Sequence, residues 1–377
     1  MSSNYKKLGE IVELIDERNK DGKVQNLIGV SIDKCFIKSV ANTIGTDLTK
    51  YQVIRKNDFA CSLMQVSRDG KIPIACLKDY NEAIMSPAYY IFRIKNTNEV
   101  LPDYLAMWFM RTEFDREASY IAVGGVRGSM PWEDFCDMKL PVPDLKEQEK
   151  IVNTYNAITK RIQLKHKINE NLEKTAQCLF DKYYEKADLE NTVLSNVIDV
   201  RDGTHDSPVF LPEGYPLVTS QNLSSFYINK DETNKISEDD YRKINERSLV
   251  ETNDILMSMI GTVGNVSLVT DKEVTFAIKN VALLKTSKTT EYRNWVLCFL
   301  KSRNFTTWLK ETLTGSTQQY VSLGEIRKIS FKIPTLNELN KFNLSTNRII
   351  NMIIKETDEL VKLQALKQLV ISRISER

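Results

Sequence analysis

The sequence predicts an α+β protein in which one α/β domain occurs twice and each copy is followed by a long helix. Three observations predict this fold class. The chain matches itself at an offset near 191 residues, each copy ends at a proline, and each proline precedes about forty residues without proline or glycine. The predicted order is a first domain at residues 1–144, a central helix at 145–187, a second domain at 188–334 and a C-terminal helix at 335–377.

The internal repeat extends over most of the chain. Leu8 aligns with Leu194 at an offset of 186, and Asn57 aligns with Asn253 at an offset of 196. From about residue 73 onward the offset settles at 191. Length differences that shift an offset without destroying the match are typical of loops on a shared scaffold. We therefore predict a pseudo-two-fold internal repeat whose two copies differ in their loops.

Each copy contains short β-rich runs followed by one amphipathic helix. The runs lie at residues 71–77 and 89–94 in the first copy and at residues 265–269 and 281–285 in the second. The helix after them carries large apolar residues at i, i+3, i+4 spacing, which predicts that they lie in the core. These residues are Leu105, Trp108 and Phe109 in the first copy and Tyr292, Trp295, Val296 and Phe299 in the second.

The two long segments are predicted to pair as antiparallel coiled-coil helices. The first starts after Pro141 and Pro143, which prevent a helix from entering it from upstream. Apolar residues in both segments recur at spacings of seven and four, with one polar position at Lys165. A helix of forty residues is roughly 60 Å long, so the pair would form a rod with one domain at each end. The alternative is that each helix packs only on its own domain. The seam residues are Ile151, Tyr155, Ile158, Ile162, Leu172, Ala176, Leu179 and Tyr183 in the first segment and Ile349, Ile353, Leu360, Leu363, Val370 and Ile374 in the second.

Composition limits the classes of function. The formal net charge is only +2, so the chain lacks the overall basic excess typical of nucleic-acid-binding domains, although a local basic patch is compatible with it. No segment approaches eighteen uninterrupted apolar residues, and neither a membrane span nor a signal peptide is predicted. The six cysteines are scattered singly, which indicates reduced thiols in a cytoplasmic protein.

The sequence offers few catalytic motifs. His166 and His205 are the two histidines, and they fall in different predicted regions, so no histidine dyad is expected. Neither a G-x-x-x-x-G-K-[ST] phosphate loop nor an [ND]-P-P-[YF] tetrapeptide of an amino-methyltransferase occurs. The nuclease-like pattern from Asp69 to Lys71 has no convincing acidic partner upstream. We therefore predict a non-catalytic chain with no metal site and no cofactor of its own.

Polar loops punctuated by glycine remain, and they suit recognition of another molecule. Arg, Gln, Asn and His at loop tips can pair with base edges in a major groove, and Ser, Thr and Lys can contact phosphates. The alternative for each residue is a solvated loop position with no partner. The candidate DNA-binding residues are Gln65, Arg68, Lys71, Arg127 and Ser129 in the first copy and Arg201, Thr204, His205, Ser220, Gln221, Asn222, Gln318 and Gln319 in the second.

Taken together, these features resemble the specificity (S) subunit of a type I restriction-modification system, and the similarity covers the whole chain. The residues that carry it are the double repeat, the phrase LPVPDLKEQEKIV that begins at Leu140, and the Asp-Gly-Thr-His segment that ends at His205. The resemblance implies that the two domains are target recognition domains, each reading one half of a bipartite DNA site, while the helix pair sets the spacer.

The resemblance also implies the partners. They would be double-stranded DNA, two methyltransferase (M) subunits that dock on this chain, and restriction (R) subunits. S-adenosylmethionine, ATP and Mg would be bound by those partner subunits. The second copy departs from the pattern, because it has Leu339 where the first has Gln148 of the Glu-Gln pair, so its docking surface is expected to differ.

Two alternatives stay open. One is the specificity subunit of a related multi-subunit restriction enzyme, which would also have two recognition domains but a different catalytic partner. The other is a protein scaffold that brings two proteins together without DNA.

Overall fold

The computed structural model of the protein describes residues 5–39, 46–123, 128–186, 189–315 and 319–374. The chain divides into two compact units. Unit 1 consists of Met1–Ile162 with Leu363–Arg377, and unit 2 is Gln163–Lys362. Each long helix is therefore shared between the units, whereas the sequence assigned the helices to segments of their own.

Unit 1 is built on a four-stranded antiparallel sheet of order β2-β9-β6-β7, with the pairs β1-β10, β3-β4 and β5-β8 beside it. Its strands are β1 Tyr5–Lys7, β2 Val12–Leu14, β3 Ile28–Val30, β4 Phe36–Lys38, β5 Gln52–Arg55, β6 Phe59–Cys61, β7 Ile74–Cys76, β8 Glu82–Met85, β9 Tyr90–Ile94 and β10 Lys139–Pro141. Its helices are α1 Leu8–Ile11, α2 Val66–Asp69, α3 Pro102–Phe109, α4 Thr112–Ile121 and α5 Trp132–Asp137, and they are followed by the long helix α6 Leu145–Tyr184.

Unit 2 repeats this plan with a four-stranded sheet of order β12-β20-β17-β18, and it adds a three-stranded sheet of order β16-β13-β19. Its strands are β11 Glu190–Val193, β12 Val200–Asp202, β13 Tyr215–Val218, β14 Leu223–Ser224, β15 Tyr227–Ile228, β16 Asn234–Ile236, β17 Ile255–Ser258, β18 Val266–Leu268, β19 Ala277–Ile278, β20 Val281–Leu284 and β21 Ser330–Ile333. Its helices are α7 Leu194–Val197, α8 Glu238–Ser248, α9 Arg293–Leu300, α10 Arg303–Thr312 and α11 Leu323–Arg327, followed by the long helix α12 Leu336–Ser372.

The strand ladders confirm the internal repeat and refine its alignment. Phe59 pairs with Cys76 in unit 1, and Ile255 pairs with Leu268 at the corresponding place in unit 2. Cys76 and Leu268 are thus 192 residues apart, one more than the predicted offset, while α3 and α9 keep the offset of 191. The extra residue matters, because a slip of one position in a strand moves every side chain to the other face of the sheet.

The turn before β6 and β17 shows the repeat at the level of single residues. Asn57 and Asn253 have φ angles of 72° and 73°, a left-handed conformation that asparagine tolerates better than most residues. Each is followed by an aspartate, Asp58 or Asp254, whose carboxylate accepts the backbone N–H of the residue three positions before it. The shared Asn-Asp dipeptide therefore encodes one turn used twice.

The predicted core helices are confirmed. Of their seven apolar residues all but Tyr292, which is half-buried, are buried in the two cores. An aromatic side chain also satisfies the same carbonyl in each unit: the Tyr104 hydroxyl donates to Pro141 O at 2.9 Å, and the Trp295 indole N–H donates to Lys332 O at 2.8 Å. Both residues combine a large apolar surface with a polar tip that finds a partner.

The two long helices begin where the prolines predict. α6 starts at Leu145, where the Asp144 carboxylate accepts the backbone N–H of Glu147 at 2.9 Å, and α12 starts at Leu336. Within unit 2, Lys165 pairs with Glu359 at 2.7 Å and Lys186 lies 3.4 Å from Glu338. Rising numbers on one helix meet falling numbers on the other, so the helices run antiparallel.

The helices pair with each other and also pack on the globular parts of the units, so the alternative in which each helix packs only on its own domain is wrong. Val152 and Ile371 lie in the core of unit 1 beside the aromatic residues of α3. Phe180, Phe342 and Ile350 lie in the core of unit 2. The buried stripe of each helix is therefore wider than the coiled-coil seam alone.

Gln148 joins the start of α6 to the segment before α3 through hydrogen bonds. Its side chain is fully buried; the amide oxygen accepts the N–H of Leu101 at 2.9 Å, and the amide nitrogen donates to the carbonyls of Glu99 and Pro143, each at 2.8 Å. The corresponding Leu339 is buried in the apolar core of unit 2. The difference between the copies at this position thus alters a contact inside each unit, and Gln148 itself is not exposed for docking. The expected difference between the docking surfaces stays a prediction.

All six cysteines are free thiols, and their surroundings differ. Cys61 and Cys298 are buried core residues, and burial raises the pKa of the Cys298 thiol to about 12, whereas Cys35 and Cys178 are exposed. Within the described ranges, none of the helices combines the length and the apolar character that a membrane crossing requires.

Candidate nucleic-acid interface

The loops that follow β12, β13 and β19 meet at one edge of the three-stranded sheet of unit 2. β13 and β19 are parallel neighbours, so the residues that follow both strands emerge on the same side. The loop after β12 joins them, because the N–H of Thr204 donates to Ile278 O at 3.0 Å and the N–H of Asn280 donates to Thr204 O at 3.1 Å. Gly203 permits this approach, since a Cβ at that position would lie 2.3 Å from the Ile278 carbonyl oxygen. Thr204, His205 and Ser220 therefore belong to one surface.

A second group of loops extends this surface. The N–H of Gly261 donates to Gln319 O at 3.3 Å, and the N–H of Val321 donates to Met259 O at 3.0 Å. Ser220 stands beside this turn, because a Cβ at Gly261 would lie 3.8 Å from its hydroxyl oxygen. Gln221 is exposed next to it. The structure thus brings Ser220, Gln221 and Gln319 together, and Gln318 lies outside the described residues.

Asp202 lies at the centre of a hydrogen-bonded cluster on this surface. One carboxylate oxygen accepts from an Nη atom of Arg247 and the other faces Nε2 of His205, both at 2.9 Å. The other ring nitrogen of His205 lies 2.8 Å from the amide oxygen of Asn280. The Asp202 side chain is 13% exposed, while those of His205 and Arg247 are 59% and 68% exposed. A mostly buried acid therefore holds two exposed cationic groups in place.

These contacts raise the pKa of His205 above its ordinary value. The hydrogen bond to Asn280 is the largest cause and the hydrogen bond to Asp202 the next, while the positive charge of Arg247 works in the opposite direction. An imidazole with an oxygen acceptor at each nitrogen is best satisfied when both nitrogens carry protons. The arrangement consequently favours the imidazolium form.

Arg201 is engaged within unit 2. Its Nε and one Nη donate to the Asp199 carboxylate at 3.0 and 2.7 Å, and its other Nη donates to Arg247 O at 3.1 Å. All three guanidinium nitrogens thus have protein partners, which ties the end of α8 to β12. The geometry gives Arg201 a structural task in addition to the DNA contact that the sequence predicts.

Asn222 shapes its own loop. The residue is only 5% exposed, and its amide oxygen accepts both the backbone N–H and the hydroxyl of Thr219 at 2.9 Å. This pair forms a capping box around the short 3-10 turn at Ser220–Asn222. Asn222 is therefore a buried residue that supports Ser220 and Gln221, in place of the exposed DNA-reading residue that the sequence predicts.

In unit 1 the predicted residues that the structure describes lie at the start of, within or just after α2 and on the loop before α5. The N–H of Met130 donates to Leu63 O at 2.9 Å, the counterpart of the bond from Val321 to Met259 in unit 2. Gly128 has a φ of 73°, and a Cβ there would lie 2.2 Å from Ser67 Oγ.

Four of the five predicted residues of unit 1 have a defined setting in the structure. Gln65 is exposed with a left-handed φ of 64°, Arg68 pairs with Asp69 at 2.8 Å, Lys71 is exposed and Ser129 is half-buried. Arg127 lies outside the described residues. Gln65, Arg68 and Ser129 thus flank one loop contact that recurs in unit 2.

Sequence reasoning missed Arg247, Lys279 and Asn280. Asn280 has a φ of 55°, and Lys279 donates to the Ser207 hydroxyl at 2.6 Å. The Lys-Asn pair between two β-rich runs carries a local turn signal that could have identified it. Arg247 has no such signal, since it reaches Asp202 from a helix 45 residues further along the chain.

A cleft of about 450 Å³ lies between the loop that begins at Thr204 and helix α8. Its charged lining mixes both signs: His205, Lys243 and Arg247 face Asp206, Asp240 and Glu246. Such a surface offers hydrogen-bond donors and acceptors side by side, as the edge of a base pair does.

Comparison with known proteins agrees with this architecture. The family model described as type I restriction modification DNA specificity domain matches residues 3–174 and 211–371. The chain is 27% identical over 155 residues to the type I restriction enzyme MjaVIII specificity subunit of Methanocaldococcus jannaschii, a match that covers 40% of this chain and 36% of that protein. It is 26% identical over 108 residues to the type I restriction enzyme HindI specificity subunit of Haemophilus influenzae, covering 28% of this chain and 23% of that protein.

The matches thus span about a third and a quarter of the length of these two relatives. Among solved structures, the S subunit of the type I restriction-modification system from M. genitalium shares the fold, with a TM-score of 0.56 and 12% identity over 99% of this chain and 96% of that one. The family model covers most of the chain in two separate ranges, in agreement with the two structural repeats. The chain belongs to the type I restriction modification DNA specificity domain family.

Proposed function

We propose that this chain is the DNA sequence-specificity subunit of a type I restriction-modification complex and that each unit reads one half of a bipartite site. The observation that carries the proposal is a repeated scaffold with different polar residues at corresponding loops. The contact between Met130 and Leu63 in unit 1 recurs between Val321 and Met259 in unit 2. The exposed residues around this contact differ between the units, as recognition of two different half-sites requires.

The loop that follows β2 in unit 1 and β12 in unit 2 also differs between the units. In unit 2 the residue aligned with Asn19 is His205, which is exposed beside the cleft, whereas Asn19 is 1% exposed and bonds to the backbone of its own loop. One unit therefore displays a cationic group where the other has a closed turn. Equivalent scaffolds with unequal surfaces suit a bipartite, asymmetric DNA sequence.

The partners in this proposal are double-stranded DNA, two methyltransferase (M) subunits and restriction (R) subunits. The long helices dock the M subunits and set the spacing between the half-sites. The chain recognises DNA without catalysing a reaction, and S-adenosylmethionine, ATP and Mg bind to the partner subunits in the cytoplasm. A net charge of +2 is compatible with this arrangement, because partner subunits can supply many of the phosphate contacts.

Methylome sequencing tests the proposal directly. A restriction-deficient host would express the chain together with the methyltransferase encoded beside it, and a matched strain would express that methyltransferase alone. We expect adenine methylation at a bipartite motif with an unspecified spacer, lost when this chain is absent.

Three outcomes would contradict parts of the proposal. Unchanged methylation in the strain without this chain would argue for a protein scaffold. A continuous motif would argue against two reading units. A bipartite motif that requires a different class of catalytic subunit would place the chain in a related multi-subunit restriction enzyme.

A further inference from the structure

We infer that Arg247 reads a guanine in the half-site of unit 2 and that Asp202 is its positioning residue. The inference rests on the proposed function and deepens it, because it names the base and the side chain. Arg247 lies at the C-terminal end of α8, where 68% of its side chain is exposed beside the mixed-charge cleft.

The guanidinium is held at one end and open at the other. One Nη donates to Asp202 at 2.9 Å, and no hydrogen bond from its other nitrogens is seen within the described ranges. Asp202 itself is fixed by strand pairing, since it lies opposite Ala282 in the ladder between β12 and β20. An arginine anchored in this way loses less rotamer freedom on binding, and its fork of N–H groups matches the O6 and N7 acceptors of guanine.

His205 completes the support. It faces the second carboxylate oxygen of Asp202 at 2.9 Å, and its other nitrogen is occupied by Asn280 at 2.8 Å. With both nitrogens engaged, the ring has no free N–H for a base edge while these contacts last. Its contribution is to orient Asp202, and through it Arg247.

The surrounding charges favour a base over a phosphate. Asp206, Asp240 and Glu246 line the same cleft as Arg247. These carboxylates offset the cationic groups of Arg247, Lys243 and His205 in the cleft, so a phosphate group would gain little net attraction there, whereas a base pair presents donors as well as acceptors in the major groove. Cytosine N4 or adenine N6 could donate to a carboxylate of this cleft while the adjacent guanine accepts from Arg247.

Helix α8 offers a matched control. Arg242 lies on the same helix with 72% of its side chain exposed, and it pairs with Glu238 at 2.5 Å. It does not line the cleft. Substitution of Arg242 removes one cationic charge from α8 without touching the contacts of Asp202.

The experiment uses the complex of the full chain with its methyltransferase partner. Binding is measured on the cognate site and on duplexes that carry each of the three other base pairs at every position of the unit 2 half-site. We expect R247A to reduce discrimination at one guanine position by roughly 10- to 100-fold and to leave the other half-site unchanged. R247K should lose part of the same discrimination, because an ammonium group lacks the planar fork that matches O6 and N7, while its binding to random DNA stays near that of the unaltered complex.

Asp202→Asn tests the positioning role. We expect it to lower discrimination at the same guanine position more weakly than R247A, with no new position affected. R242A should leave every preference unchanged. Thermal unfolding of each variant is measured in parallel, and R247K, which keeps the charge and most of the length of the side chain, covers the case of an unstable R247A.

Two results would overturn the inference. One is an equal loss of affinity on all sequences with a fall of about one in the slope of log K against log salt, which marks a phosphate contact. The other is preserved discrimination at every position in both R247A and R247K. An unaltered complex without any sequence preference would instead count against the proposed function.

Discussion

Single residues show how the repeat keeps an interaction while changing its chemistry. Asp58 binds Arg93 in unit 1 through two hydrogen bonds of 3.0 Å. At the corresponding place in unit 2, Asp254 binds Lys285 at 2.6 Å, and both of these side chains are buried. Arginine offers a fork that holds a carboxylate in one plane, whereas lysine acts as a point charge that also reaches the Glu251 carboxylate at 2.6 Å. The aspartate thus anchors the turn before the central strand in both units.

The titration of His205 is a prediction at this scale. Its pKa is raised above the ordinary 6.5 by Asn280 and Asp202, so the contribution of these contacts is complete below that pH and is lost as the pH rises through the raised value. We expect sequence discrimination by unit 2 to weaken across that interval. The charged groups facing the ring are Asp202 and Arg247.

Proton NMR can measure this titration because the chain has two histidines. A variant with His166 replaced by glutamine identifies the His205 resonances. Asp202→Asn should move the pKa of His205 back toward 6.5. A titration of His205 that is identical in the Asp202→Asn variant would contradict the assigned cause.

At the scale of elements, the pairing of α6 and α12 contains one polar layer in an otherwise apolar seam. Lys165 is 8% exposed and pairs with Glu356 and Glu359, and one turn along Asn169 donates to the Thr357 hydroxyl at 3.1 Å. A polar layer in a helix pair can define register, because a shifted alignment would leave these groups facing apolar neighbours. The polar position at Lys165 therefore has definite partners on α12.

Substitution of Lys165 tests this layer. We expect Lys165→Ala to lower the free energy of unfolding by about 1 to 2 kcal/mol, because two partly buried carboxylates lose their counter-ion. Replacing Lys165, Glu356 and Glu359 together by Met, Leu and Leu should restore stability. Urea titration followed by circular dichroism measures both.

Lys174 supplies the matched control on the same helix. It forms an exposed i, i+4 pair with Glu170, and Lys174→Ala should cost no more than about 0.5 kcal/mol. Equal effects of the two lysine substitutions would show that burial of the Lys165 layer contributes nothing.

At the scale of the whole molecule, each unit has its own core and its own pair of strands that joins the two ends of the globular part. In unit 1, β1 pairs with β10 so that Tyr5 lies opposite Pro141, and in unit 2 β11 pairs with β21 so that Glu190 lies opposite Ile333. The two chain ends of each globular part are therefore neighbours. Such a part can be exchanged without lengthening the connections.

Exchange of residues 190–333 with those of another family member should change one half-site of the methylated motif and leave the other. Phe180 and Phe342 of the long helices lie in the core of unit 2, so the donor must carry apolar residues that fit them. The reciprocal exchange of residues 5–141 is expected to change the opposite half-site. Methylome sequencing reads both results, and a change in both halves from either exchange would refute independent reading.

Features that depend on local patterns could be predicted from the sequence. The prolines and the seven-and-four spacing predicted the starts and the pairing of α6 and α12. The alignment of Asn57 with Asn253 predicted equivalent positions, and the structure shows that both form the same turn. The aromatic residues of α3 and α9 were predicted as core because helical periodicity places them on one face. These signals span only a few residues, and the physical rule behind each acts along the chain.

Tertiary structure alone decided which polar side chains are available. Gln148 and Asn222 are polar residues, but their side chains are buried in the structure. Arg247 reaches Asp202 only because α8 folds back onto the end of β12. The loops around Thr204 meet because β13 and β19 run in parallel, although 60 residues separate the paired Leu217 and Ala277. Burial and hydrogen bonding depend on what distant segments bring to a residue, and no local pattern encodes that.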